Sequence, residues 1–283
     1  MRLLIPGGQG MVGRMLTEVA RARGHEAIPV PKAGWDIADP GAALARLARH
    51  RPDAVVNCAA FTDVDACETR RELAVLVNGE GPGILARACA QAGVRFLHLS
   101  SDYVFDGTAT APYGEDASPA PLSAYGASKL AGEEAVRAAG GRWTLLRTAW
   151  VYGPWGRNFV TTILRLAREQ GKLRVVADQV GAPTYTADLA DAILRLLDAE
   201  AEGIVHVTNG GQCSWHAFAR EIVRLSGLDV EVQAVTSGAF PRPAPRPAYS
   251  VLSLARYRDL TGHTPRPWPE ALADFLARPP DPG

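Results

Sequence analysis

Tyr125 and Lys129 stand four positions apart in Tyr125-Gly126-Ala127-Ser128-Lys129. On a helix that spacing puts both side chains on one face. A tyrosine can protonate an alkoxide once its pKa is brought down from about 10 towards neutrality. A neighbouring ammonium does this by stabilising the phenolate. The same lysine is long enough to reach the hydroxyls of a bound ribose. The chemistry such a pair serves is ketone reduction, in which a hydride comes from elsewhere and the pair handles the proton. The spacing alone is common, and an ordinary surface tyrosine and lysine satisfy it equally.

Upstream, Leu97-His98-Leu99-Ser100-Ser101-Asp102-Tyr103-Val104-Phe105-Asp106-Gly107 ends a strand. Ligands of parallel sheets bind beyond the carboxyl ends of the strands. Ser100 and Ser101 fall at that edge, where a hydroxyl can hydrogen-bond a reacting carbonyl. His98 within this run reads as a packed strand histidine.

A second constellation supplies the hydride carrier. Gly7-Gly8-Gln9-Gly10-Met11-Val12-Gly13 joins the first strand to the first helix, with Gly7, Gly10 and Gly13 three apart. Gly7 permits a sharp turn, Gly10 lets backbone approach a pyrophosphate, and Gly13 allows close packing of helix on sheet. The helix N-terminus adds free N–H groups. The next strand ends in Val30-Pro31-Lys32-Ala33-Gly34-Trp35-Asp36. No acid follows immediately to bind the ribose of NAD, and nearby Lys32 leans towards the 2′-phosphate of NADP. A solvated surface lysine is the alternative. Asp36 and Ile37 could flank the adenine, and Asp36 is equally a turn or capping residue.

Stepping outward along the chain, strands are expected at Arg2–Ile5, Glu26–Val30, Ala54–Asn57, Arg95–Ser100 and Trp143–Arg147. Helices are expected at Met11–Arg23, Pro40–His50 with Asp39 as N-cap, Glu72–Ala92 with a break near Gly79–Gly83, and Ala124–Ala139. Strands alternating with helices at this spacing predict an α/β fold, a Rossmann-type doubly wound parallel sheet with right-handed crossovers. After Trp150 the expected helices are Asn158–Gln170, Thr186–Asp198, Trp215–Ser226 and one near Pro269–Ala277. Strands are expected at Leu173–Val176 and Ile204–Thr208. The proline run from Pro241 to Pro247 reads as a stiff surface loop. Residues 1–150 are thus assigned to the cofactor domain, with segments near 182–208 returning to it, and residues 151–283 mainly to a smaller C-terminal substrate-binding lobe.

Composition narrows the class. Apolar residues make up 47% of 283, enough for a large core. Basic and acidic residues balance at 30 each, so nothing calls for nucleic acid or an anionic membrane. The N-terminal apolar stretch is too short for a signal-peptide core, and no run approaches the roughly 20 apolar residues of a membrane span. The four cysteines have no CxxC spacing and the six histidines do not pair, which points to reduced thiols in a cytoplasmic protein without a metal. Asp63 and Asp65 resemble metal ligands only faintly. A loop or helix start explains them, since no third ligand follows at calcium-loop spacing.

Strand, serine, loop and then Tyr-x-x-x-Lys, behind an N-terminal glycine turn, resembles the short-chain dehydrogenase/reductase superfamily. Several segments resemble one branch of it, the dTDP-4-dehydrorhamnose reductases. Asn57-Cys58-Ala59-Ala60-Phe61-Thr62-Asp63-Val64-Asp65-Ala66-Cys67-Glu68 is similar to that family's N-x-A-A-x-T-x-V-D-x-x-E segment. Ser101 to Gly107, Arg147 to Gly153, Asn158-Phe159, Asp178 to Thr184 and Arg246 to Ser250 are similar too.

The resemblance implies reduction of dTDP-4-dehydro-β-L-rhamnose at C4 with NADPH or NADH. It implies that Ser101, standing where the family usually has threonine, polarises the carbonyl, that Tyr125 donates the proton and that Lys129 orients cofactor and tyrosine, the pair also binding the cofactor. It implies that Asp102, Tyr103 and Trp150 line the sugar pocket. Ala59, Ala60 and Phe61 would pass along the cofactor, with Gly7, Gly10, Met11 and Val12 at its pyrophosphate. Arg242 and Arg246 either reach the nucleotide diphosphate or serve a surface role. A homodimer is the expected assembly. Three alternatives are weighed: a 4-ketoreductase of another dTDP-hexulose, a non-catalytic regulatory subunit of the same fold, and a sugar-nucleotide epimerase. Intact Ser101, Tyr125 and Lys129 argue against the second. The Asp178–Thr184 segment and the short C-terminal half argue against the third.

Overall fold

In the computed structural model, which describes residues 1–278, a six-stranded parallel sheet forms the centre. Its first five strands in chain order are β1 (Arg2–Pro6), β2 (Glu26–Val30), β3 (Ala54–Asn57), β4 (Arg95–Ser101) and β5 (Trp143–Thr148). The sixth, Gly203–His206, joins β5 from much later in the sequence. Across the sheet the order is Gly203–His206, β5, β4, β3, β1, β2. The chain therefore runs outward from β1 to β2, then returns past β1 to place β3 on its other side. That reversal opens a crevice between the carboxyl ends of β1 and β3, where such sheets bind ligands.

Strand periodicity explains why helices cover both faces. Leu3 and Ile5 point into one core with Ala54, Val56 and Leu97. Leu4 points into the other with Val55, Phe96 and Leu145. Alternation along a strand sends successive side chains to opposite faces, and here both are apolar. Helix α1 (Met11–Ala22) packs with the later helix Thr186–Asp198 against the first core. Helices α2 (Pro40–His50) and Gly81–Ala92 pack together over the second. Asp39 caps α2 by accepting from the N–H groups of Gly41 and Ala42, with Pro40 in the first turn.

The expected break near Gly79–Gly83 does not occur. The chain stays helical, and the irregularity is a wide π-helical stretch at Val75–Glu80. Its extra residue buries Asn78 rather than ending the helix. Sequence periodicity also misses the strand Glu231–Val235, which pairs in parallel with Lys172–Val176. Polar and apolar residues do alternate through Glu231-Val232-Gln233-Ala234, but the strand is short and mostly exposed. The proline run lies on the surface, held by Asp65, which pairs with both Arg242 and Arg246 and accepts from Ala244 N–H. Asp63 caps the short helix Val64–Thr69. These partners account for the two aspartates without a metal, and no cluster of metal-ligating side chains occurs among the described residues. All four cysteines are free. No helix among the described residues is long and apolar enough to cross a membrane. Residues 279–283 of the expected C-terminal lobe lie outside the described residues.

Candidate active site

The crevice is floored by the glycine turn. Gly7 takes φ +74°, and a Cβ there would lie 2.5 Å from the backbone nitrogen of Ala59. Only glycine lets the turn after β1 touch the loop after β3 this closely. Gly13 packs its Cα beneath the carbonyl of Gly7, seating α1 against the turn. Gly10 is the N-cap of α1 and supplies no side-chain cap. Gly10, Met11 and Val12 therefore bring bare backbone to the cleft at the positive end of a 12-residue helix. This donor-rich surface fits a dinucleotide pyrophosphate.

The loop after β3 is clamped from behind. Asn78, in the π-helical stretch, accepts from Phe61 N–H at 2.8 Å and donates to Phe61 O at 3.0 Å. The same amide donates to Ser128 Oγ at 3.0 Å, and Ser128 donates to the carbonyl of Tyr125. One buried asparagine thus ties this loop to the helix Ala124–Ala139, which carries Tyr125 and Lys129. Ser123 caps that helix, and Gly126 lets it press against the carbonyl of Tyr103.

Tyr125, Lys129, Ser101, Asp102 and Tyr103 meet at the carboxyl end of β4 and line one cleft of about 430 Å³ with Gly10, Met11, Val12, Ala60 and Trp150. Ser101 Oγ donates to Asp102 Oδ1 at 3.0 Å and accepts from Tyr103 N–H. The Tyr125 and Tyr103 rings meet edge to face at 5.6 Å. Burial pushes the Tyr125 phenol above its ordinary range, and hydrogen bonding with Ser101 opposes the shift.

Lys129 enters the same cleft as Tyr125 and is held from the strand side. Its Nζ donates to Leu99 O at 2.6 Å and faces His98 Nε2 at 3.3 Å. Burial lowers its pKa to about 8, against the pull of Glu133 one turn along the helix. The reason for the placement is depth. Lys129 is only 2% exposed, and the backbone of β4 offers the nearest acceptor. Asp102 is 1% exposed, and its Oδ2 lacks a hydrogen-bond partner among the described residues. Burial raises this carboxyl to about 6, while hydrogen bonds from Ser250 and Ser101 work against the rise.

Beneath the site, Arg147 grips Glu133 through two bonds of 2.8 and 2.6 Å, and Ser100 donates to Glu133 Oε1 at 2.5 Å. This buried pair locks the helix Ala124–Ala139 onto β4 and β5. On the open side, Trp150 follows β5 with φ +47°.

Other expected residues lie apart from the cleft. Lys32 is exposed in a single turn after β2. Asp36 accepts from Ala38 N–H, the turn role weighed for it, and Ile37 is buried in the second core. Ala59 backs Gly7, and Phe61 lies under the guanidinium of Arg70. Arg242 and Arg246 are engaged by Asp65, and Arg246 also faces the hydroxyl of cleft-lining Tyr103. Cleft residues that sequence reasoning misses include Thr62, Arg157 and Trp215. Trp215 had a local signal, as the first residue after the Ser214 N-cap, but nothing in the sequence aims it at Trp150.

The chain matches the family described as RmlD substrate binding domain over residues 1–279. It is 47% identical over 286 residues to a dTDP-4-dehydrorhamnose reductase of Mycobacterium tuberculosis (strain CDC 1551 / Oshkosh), covering 98% of this chain and 93% of the relative. It is 46% identical over 280 residues to a probable dTDP-4,6-dihydroxy-2-methyloxan-3-one 4-ketoreductase of Streptomyces antibioticus, covering 97% and 94%. Among solved structures, the dTDP-4-dehydrorhamnose reductase of Bacillus anthracis str. Ames in complex with NADP superposes with a TM-score of 0.94 at 37% identity, over 97% of this chain and 98% of that one.

Proposed function

The chain belongs to the dTDP-4-dehydrorhamnose reductase family, and on that premise we propose that it reduces the C4 keto group of dTDP-4-dehydro-β-L-rhamnose to give dTDP-L-rhamnose. It is an NAD(P)H-dependent oxidoreductase. One observation carries the reading. A single cleft joins the bare N-terminus of α1 to Ser101, Tyr125 and Lys129 at the end of β4.

Gly7, Gly10, Met11, Val12 and Gly13 would hold the pyrophosphate, with Ala59, Ala60 and Phe61 along the cofactor. Lys32, Asp36 and Ile37 stand nearest the end of β2. The bound nicotinamide supplies the hydride. The Ser101 hydroxyl turns its single proton from Asp102 to the substrate carbonyl and favours negative charge on its oxygen. Tyr125 gives its proton to that oxygen, and Lys129 orients the groups around it. Asp102, Tyr103 and Trp150 enclose the sugar. Serine in place of threonine keeps the hydroxyl this requires. Residues 1–150, with later segments near 182–208, form the cofactor half, and the remaining described residues after 150 form most of the substrate lobe. The reading places the protein in the cytoplasm, and light scattering tests whether it forms a homodimer.

The test mixes the purified protein with dTDP-4-dehydro-6-deoxyglucose, a 3,5-epimerase and NADPH or NADH, and identifies the sugar formed. Cofactor oxidation that needs the epimerase, with dTDP-L-rhamnose as product, supports the reading. Oxidation without the epimerase supports the second reading, a 4-ketoreductase of another dTDP-hexulose. That reading is favoured by the likeness to the Streptomyces antibioticus 4-ketoreductase.

A further inference from the structure

His98 is buried on β4, between Asn57 at the end of β3 and Lys129. Asn57 Oδ1 accepts from the backbone N–H of Ala59 at 3.1 Å. That donor cannot turn away, so it fixes which end of the amide is oxygen. The Asn57 NH₂ then faces His98 Nδ1 at 3.0 Å and donates to it. Nδ1 must carry the lone pair. A neutral imidazole has one N–H, so its proton sits on Nε2, the nitrogen 3.3 Å from Lys129 Nζ.

An ammonium has three donors and no acceptor. Facing Nε2–H, it leaves two buried donors opposed. A neutral amine accepts from Nε2–H and still donates to Leu99 O at 2.6 Å. We infer that His98, held in one tautomer by Asn57, is a positioning residue that presents an N–H to Lys129 and favours its neutral amine over the ammonium. Forming the ammonium requires the ring proton to move to Nδ1 and Asn57 to turn, which gives up the Ala59 bond. That bond belongs to the loop packed against Gly7, so the charge on Lys129 is linked to the turn proposed to hold the pyrophosphate.

Other groups around Lys129 have settled roles. Glu133 lies on the same helix and favours the ammonium, a pull that its pair with Arg147 of β5 offsets in part. Cys58 faces the cleft from β3 with its thiol pushed up to about 12 by burial, so it stays uncharged. Tyr125, one turn before Lys129, is likewise kept neutral by burial.

The first test is nitrogen-15 NMR of histidine-labelled full-length protein at about pH 10, above the Lys129 value of about 8, where the amine is neutral. His98 is expected with its proton on Nε2. A proton on Nδ1 overturns the inference whatever the enzyme's substrate. The second test rests on the proposed role of Lys129 and reads the alkaline limb of kcat/KM. Asn57→Asp keeps an acceptor for Ala59 N–H but also accepts from Nδ1–H, reversing the tautomer. The limb is expected to move up by about one pH unit. Because a carboxylate also acts through its charge, the same substitution is made in His98→Phe, where the shift should shrink to a few tenths of a unit. An equal shift in both backgrounds overturns the relay. Should the variants fail to fold, the NMR result on the unaltered chain decides alone.

Discussion

Trp150 lies flat on Trp215, with ring centroids 3.4 Å apart and planes 9° from parallel. One indole follows a strand of the central sheet and the other starts the helix Trp215–Leu225. Behind the pair, a Cβ on Gly181 would lie 2.5 Å from the Trp150 ring. Gly181→Ala should therefore push Trp150 off its partner. Trp215→Ala should leave it unsupported. Both variants are expected to raise KM for the sugar nucleotide about tenfold, in line with roughly 0.5–1.5 kcal/mol for an aromatic pair beyond area burial. Cofactor affinity, read by fluorescence titration, should stay within twofold.

Tyr125→Phe removes the proposed proton donor and keeps the ring against Tyr103. Turnover should drop by about 10²–10⁴-fold, the span attributed to a positioned acid. Cofactor binding should persist. Steady-state kinetics with a parallel binding titration checks both, and near-normal turnover would sink the assignment.

Lys32 is solvent-exposed beyond β2, so its substitution should not disturb the core. In Lys32→Ala the ratio of kcat/KM for NADPH to that for NADH is expected to fall several-fold, because one cation near the 2′-phosphate is lost. The loss should shrink at high salt. An unchanged ratio removes Lys32 from cofactor selection.

Glu133 and Arg147 form a fully buried pair. Glu133→Gln strands the guanidinium and should cost about 3–5 kcal/mol of stability in urea unfolding. A double change to apolar residues of similar volume should cost much less. The comparison separates loss of a buried partner from loss of packing.

Asp102 makes stability depend on pH. Its folded pKa is raised from 3.8 to about 6. A raised acid stabilises the fold fully below its unfolded pKa, and that contribution is lost as pH rises through the folded value. Between about pH 4 and 6 the native state holds a proton that the unfolded chain has released, so this residue lowers stability with rising pH. The full loss is of order 3 kcal/mol. Asp102→Asn should flatten this part of the curve and make the chain more stable than its parent at pH 8. Equilibrium unfolding at several pH values measures it. A parent-like slope in the variant would assign the pH dependence elsewhere.

The amino-acid sequence by itself determined the local elements and the residues held within single turns. Unbroken apolar runs in Leu3-Leu4-Ile5 and Ala54-Val55-Val56 mark strands buried on both faces, and Gly7, Gly10 and Gly13 mark the turn that follows β1. The four-residue step from Tyr125 to Lys129 puts both on one helix face. Each of these signals lies within a short stretch, where spacing and propensity decide. Only the tertiary structure decided what meets across distance. It stacks Trp150 on Trp215, joins Asp65 to Arg242 and Arg246, and brings Gly203–His206 beside β5. It also seats Lys129 against Leu99 O and His98. The reason is physical. A lysine buried at a strand end must donate to whatever acceptor the folded sheet places there, and neighbouring sequence positions do not encode that acceptor.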